Sequence, residues 1–159
     1  MLISGDDWKP PDMSQPLRIG LIVAGMVSRH HLIAWAELSD QARVVAVADP
    51  STANAARRAD EFAIPKTFAD AEAMLAATEL DAIDIAAPRE IHAPLVRLAA
   101  AKRLPVLCQK PLAPNLQEAT ELAAEVDGVI RLMVHENWRL RAGRIGSVKQ
   151  ALASWEALR

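Results

Sequence analysis

The apolar residues of this chain follow two rhythms. Short, nearly continuous apolar runs cover residues 17–23, 44–48, 82–86, 106–108 and 129–134. Runs of this kind fit strands buried on both faces, as in a parallel sheet covered by helices. Between them lie amphipathic stretches at 25–38, 52–62, 70–77, 91–102 and 116–126, which predict helices. The last is the most regular: Asn115 stands as N-cap with Glu118 three residues on, and Leu116, Ala119, Leu122, Ala123 and Val126 share one face. A short additional strand is predicted at 66–68. Strand alternating with helix implies an α/β fold, a doubly wound and mostly parallel sheet with helices on both faces and right-handed crossovers.

Length and composition narrow this picture. The 159 residues suit one domain with a real core. Residues 1–16, with Pro10, Pro11 and Pro16 and no periodicity, read as a flexible arm ahead of it. A net charge of -2 and a pI near 6.1, with acids and bases interspersed, offer no basic face for nucleic acid. The single cysteine, Cys108, excludes an internal disulfide and a zinc ribbon. No apolar run approaches the ~20 residues of a membrane span, and no basic-then-apolar leader opens the chain, so a soluble cytoplasmic protein is expected. Tyrosine is absent, which rules out a Tyr-x-x-x-Lys acid pair within these residues.

In a doubly wound sheet, ligands bind beyond the carboxyl ends of the strands, so the residues at those ends are the candidates for chemistry. The first end reads Val23-Ala24-Gly25-Met26-Val27-Ser28. In a G-x-G-x-x-G/A turn the first glycine keeps the bend tight, the second lets backbone approach a pyrophosphate, and the third lets helix pack on strand. Those places hold Val23, Gly25 and Ser28, and a β-branched valine resists positive φ. Asp49 ends the second run, twenty-one residues after Ser28, the spacing of an acid that bonds a ribose hydroxyl. Its charge would repel a 2′-phosphate, which favours NAD over NADP. The bland alternative is a turn at Asp49-Pro50-Ser51 with Ser51 capping the next helix.

The segment Ala86-Ala87-Pro88-Arg89-Glu90-Ile91-His92 leaves the central run with a rigid proline and places His92 on the first helical turn, where backbone could equally satisfy it. The next end, Cys108-Gln109-Lys110-Pro111, delivers a lysine whose ammonium can bond a substrate hydroxyl. Glu136, Asn137, Trp138 and Arg139 follow the last run and suit either substrate orientation or an interface. His30 and His31 are adjacent, point to different helix faces and make no metal pair. No metal site is predicted, and hydrolase and NTPase motifs do not occur.

Taken in order, Gly25 to His31, Ala46-Val47-Ala48-Asp49, Ala87-Pro88 through His92, and Gln109-Lys110-Pro111 resemble the N-terminal domain of the Gfo/Idh/MocA oxidoreductases, relatives of glucose-fructose oxidoreductase and inositol dehydrogenase. The resemblance covers residues 17–139. It implies a Rossmann fold and nicotinamide-dependent hydride transfer on a sugar or cyclitol hydroxyl. Carried over by position, the Val23, Gly25, Met26 and Val27 loop would hold pyrophosphate, and Asp49 would select the ribose. Pro88 and His92 would line the nicotinamide side, Gln109 and Lys110 would border the cofactor, and Lys110 would also contact substrate and aid proton transfer. His92 is the second catalytic candidate.

Three departures stand out. Val23 replaces the first glycine, Gln109 replaces the glutamate of an E-K-P motif, and the sequence ends at Arg159, where family members continue into a substrate domain. Residues 140–159 are accordingly expected to be a shortened junction that docks or associates with another chain, giving a homo-oligomer. The alternative expectation is a non-catalytic, degenerate Rossmann module for binding or assembly.

Overall fold

The computed structural model describes residues 14–135. The elements are β1 (Leu17–Ile22), α1 (Met26–Ala36), β2 (Ala42–Ala48), α2 (Thr52–Phe62), β3 (Lys66–Phe68), α3 (Ala71–Ala77), β4 (Ala82–Ile85), α4 (His92–Ala101), β5 (Val106–Gln109), α5 (Leu116–Val126) and β6 (Leu132–His135). A 3₁₀ turn at Arg89–Ile91 leads into α4. Six strands, all parallel, lie in the order β3-β2-β1-β4-β5-β6. The chain therefore winds outward from β1 to β3, returns to β4 and winds the other way. Between β1 and β4 this reversal opens the crevice where doubly wound folds take ligands.

The continuous apolar runs are explained by two covered faces. Leu17, Ile19 and Leu21 of β1 face the side packed by Leu32, Trp35, Ala55 and Ala59 of α1 and α2. Ile22 faces the other side, where Met74, Val96 and Leu122 of α3, α4 and α5 pack with Ile83, Ile85 and Val106. Gly20 also faces that layer: a Cβ there would stand 2.7 Å from Leu80 and 3.0 Å from Met74. The missing side chain is what lets the layer seat so closely.

Each predicted strand and helix has a counterpart, with shifted ends. The first strand stops at Ile22, because Val23 turns out of the extended conformation. Strand β2 begins at Ala42, where pairing with Leu17 starts even though Arg43 is exposed and breaks the apolar run. The last strand begins at Leu132, since Val129 and Ile130 donate to the Val126 carbonyl and close the end of α5. Ser51 and Asn115 cap as the sequence indicates, accepting the N–H groups of Asn54 and Glu118, and Asp70, expected as the first helical residue, caps α3 by accepting the N–H of Ala73. The predicted face of α5 is corrected at Leu116, 82% exposed, and at Ala123, also exposed, while Leu122 and Val126 are buried. Residues 1–13, the 136–139 segment and the 140–159 junction lie outside the described residues, and the expectations made for them are not addressed by this fold.

Candidate functional site

The loop after β1 is built around Val23, whose φ is 71°. Its N–H donates to the Ala48 carbonyl at 2.8 Å, so the chain turns immediately after the strand pair ends. For a β-branched residue this left-handed conformation is strained, by about 1–2 kcal/mol. Gly25 is not left-handed; its φ is -69°. What glycine supplies there is room: an added Cβ would meet only the Val23 side chain, at 3.9 Å.

Gly25 is also the N-cap of α1, with no side-chain cap and no acid in the first turn. The first backbone N–H groups of that helix thus lack internal partners, and the helix dipole adds positive potential there. Met26, 82% exposed, and Val27 lie on this open turn. Two side chains set the loop's shape from behind. Ser28 Oγ donates to the Gly25 carbonyl at 2.6 Å, and the buried Arg58 of α2 donates to the same carbonyl at 3.2 Å. Arg58 is in turn held by Glu61 at 2.7 Å. A free side of Gly25 and outward N–H groups are the features a pyrophosphate cradle needs, and the residues present fit one.

Asp49 underpins the same loop. It is buried, and its two carboxylate oxygens accept the N–H of Ala24 and of Ser51, each at 2.7 Å. The turn at Asp49-Pro50-Ser51 and the capping role of Ser51 are both present beside the loop contact. A carboxylate has about four lone-pair sites, so these bonds leave acceptor capacity for a hydroxyl.

Across the crevice, Ala86 N–H donates to the Ile22 carbonyl at 3.0 Å and ties the loop after β4 to β1. Pro88 is exposed at its tip. His92 begins α4 and is fully buried, with Nε2 2.8 Å from the Ala87 carbonyl and Nδ1 2.8 Å from the Pro111 carbonyl. Both ring nitrogens are engaged by backbone. His92 joins the Pro88 loop to the loop after β5, whose Lys110-Pro111 peptide is cis. Lys110 is half-buried at that edge, and its N–H donates to Gln109 Oε1 at 2.7 Å.

Beneath these loops lies a polar cluster that sequence reasoning did not assemble. Asp84 of β4 is fully buried and meets His31 Nδ1 of α1 at 2.9 Å. Trp35 Nε1 donates to the same carboxylate at 2.7 Å. Gln109 Nε2 stands 3.2 Å from His31 Nε2, and the His135 ring of β6 packs edge-on against His31 with centroids 4.9 Å apart. Burial pushes the His31 pKa down, but the adjacent Asp84 carboxylate more than offsets this, and the net direction is up. Burial, with Asp84 nearby, pushes the Cys108 thiol up to about 12. The sequence signal for the cluster was present: an aspartate inside the otherwise apolar run Ala82-Ile83-Asp84-Ile85-Ala86 has to find partners.

Among the described residues no group of three or more His, Cys, Asp or Glu could hold a metal, and no helix is long and apolar enough to cross a membrane. A groove of about 460 Å³ lined by Trp35, Ala42, Val44, Phe62 and Ile64 shares no residue with the loops above.

The sequence profile of an oxidoreductase family with an NAD-binding Rossmann fold, Gfo/Idh/MocA, matches residues 17–135. D-apiose dehydrogenase of Paraburkholderia graminis is 38% identical over 139 residues, which is 80% of this chain and 37% of that protein. Inositol 2-dehydrogenase of Corynebacterium glutamicum is 32% identical over 110 residues, 69% of this chain and 33% of that one. The chain thus spans about a third of the length of these curated relatives. In structure it is similar to an oxidoreductase from Agrobacterium radiobacter in complex with NAD+, L-tartaric acid and magnesium. That match has a TM-score of 0.74 and 33% identity, over 79% of this chain and 36% of the other. The WlbA dehydrogenase of Bordetella pertussis, in complex with NADH and UDP-GlcNAcA, superimposes with a TM-score of 0.74 at 25% identity, over 79% and 36%.

Proposed function

The chain belongs to the Gfo/Idh/MocA oxidoreductase family, as its NAD-binding Rossmann domain, and from that premise we propose that it binds NAD(H) and serves hydride transfer at a sugar or cyclitol hydroxyl. The observation that carries this reading is the open side of Gly25 at the uncapped start of α1, beside the β1/β4 crevice. Gly25, Met26 and Val27 would hold the pyrophosphate through backbone N–H groups, with Val23 forming the bend. Asp49 would accept a ribose hydroxyl, and its charge at that place favours NAD over NADP. NAD+, when bound, supplies the acceptor for a hydride leaving the carbon that bears the substrate hydroxyl.

The chain's own residues would then bind and orient. Pro88 would press the rigid loop after β4 against the nicotinamide side. Lys110 would bond the substrate hydroxyl and ease the departure of its proton as the carbonyl forms. His92, with both nitrogens on backbone carbonyls, would act by holding the Pro88 and Lys110 loops together, with Gln109 beside it bracing the lysine. A surface completing the substrate side would come from beyond the described residues.

A second reading, a module that keeps the fold without the cofactor, is favoured by one observation: Val23 holds a strained conformation at the loop that must meet phosphate, with its side chain turned toward Gly25. Calorimetric titration with NAD(H) and NADP(H) separates the two. Saturable NAD(H) binding, tighter than NADP(H), supports the first; no heat with either cofactor at millimolar concentration establishes the second.

A further inference from the structure

The hydrogen-bond directions around Gln109 are determined by its neighbours. Lys110 N–H can only donate, so the end of the carboxamide 2.7 Å from it is the oxygen. The NH₂ end therefore faces His31 Nε2 at 3.2 Å, and that nitrogen accepts. The proton of the ring then sits on Nδ1 and is donated to Asp84. We propose that Gln109 is a positioning residue for Lys110, which holds the lysine's backbone N–H with one end of its carboxamide while the other end requires a bare Nε2 on His31.

This proposal rests on reading Lys110 as the substrate-side lysine, and it goes beyond that reading by coupling the lysine to a buried histidine. When His31 takes a second proton, its Nε2–H meets an NH₂ group, and two donors cannot bond each other. Gln109 must turn its oxygen to the ring, and Lys110 N–H loses its acceptor. The groups packed around the ring are Asp84 of β4, Gln109 of β5, His135 of β6 and Trp35 of α1. Asp84 attracts the second proton and Gln109 opposes it. A glutamate at position 109 would remove the conflict, since its carboxylate can accept from Lys110 N–H and from Nε2–H together.

The test uses the full chain labelled with ¹⁵N, and needs no cofactor. At a pH well above the ordinary histidine range, the His31 nitrogens should read as Nδ1–H with a bare Nε2, and in Gln109→Glu both should carry protons at the same pH. As pH falls through the His31 titration, exchange of the Lys110 amide, corrected for its intrinsic pH dependence, should accelerate about tenfold, the loss of one hydrogen bond. In Gln109→Glu that acceleration should be absent. In Gln109→Leu the amide should exchange about tenfold faster at every pH; should that variant not fold, the Gln109→Glu comparison decides alone. A parent protein with Nε2–H at high pH, or a Lys110 amide indifferent to the His31 titration, overturns the proposal. Failure of NAD(H) to bind would sink the cofactor reading and leave these signals where they are.

Discussion

The carboxylate of Asp49 accepts the N–H of Ala24 at 2.7 Å, so the residue proposed to meet a ribose also braces the loop that would meet the pyrophosphate. These two tasks respond differently to substitution. Asp49→Ala should lose both, weakening NAD(H) binding and loosening the loop at a stability cost of about 1–3 kcal/mol. Asp49→Asn keeps one acceptor oxygen and removes the charge, so it should narrow the proposed preference for NAD over NADP with a smaller loss of stability. Calorimetric titration beside urea unfolding measures the two effects; an Asn variant with an undiminished NAD preference would remove Asp49 from the proposed selectivity.

Val23 at φ 71° sets a second expectation. Val23→Gly relieves left-handed strain of about 1–2 kcal/mol, while the added freedom of the unfolded chain takes back about 0.5–1 kcal/mol. Unfolding stability should therefore rise by no more than about 1.5 kcal/mol, with NAD(H) affinity improved as the side chain beside Gly25 is removed. An unchanged affinity would show that this valine does not limit the site.

The His31 and Asp84 pair makes stability depend on pH in a defined direction. The His31 pKa is raised in the folded state, so the pair's contribution is complete below the ordinary histidine range of about 6.5 and is lost as pH rises through the raised value. Urea unfolding should therefore show stability declining across that window, and Asp84→Asn should flatten the decline. The same variant leaves His31 and Trp35 without the charged acceptor, at a cost of about 3–5 kcal/mol. A rising profile through the window would contradict the assigned direction.

His92 tests positioning against proton transfer. His92→Phe removes the imidazole that bridges the Ala87 and Pro111 carbonyls and should lower stability by about 1–3 kcal/mol. Unaltered unfolding of that variant, with turnover abolished in a complete enzyme, would instead make His92 a direct participant.

Cys108 should be inert in the native protein. It is fully buried with its thiol pushed up to about 12, so little thiolate exists at neutral pH. Iodoacetamide with mass-spectrometric readout should label it only after unfolding; rapid native labelling would show that β5 opens readily.

The alternation of apolar runs with amphipathic stretches was enough to place each strand and α-helix of the described residues, because a parallel sheet covered on both faces demands that pattern and few other folds do. The helix starts at Ser51 and Asn115 were legible for a local reason: each cap satisfies a backbone group only three residues away. Gly25, Asp49, Pro88 and Lys110 could be set at strand ends by the same logic. Leu116 and Ala123 prove exposed because a helical wheel counts apolar positions without knowing where the covering layer ends.

By itself, then, the sequence determined the α/β architecture and the edge of the sheet where chemistry belongs, through short-range periodicity and capping. The tertiary structure alone decided what those residues do there. Ala24 and Asp49, separated by 25 positions, His31 and Asp84, by 53, and His31 and Gln109, by 78, meet only once the sheet has formed. A buried polar group takes whichever partner the packing brings within about 3 Å, and no local pattern encodes that choice.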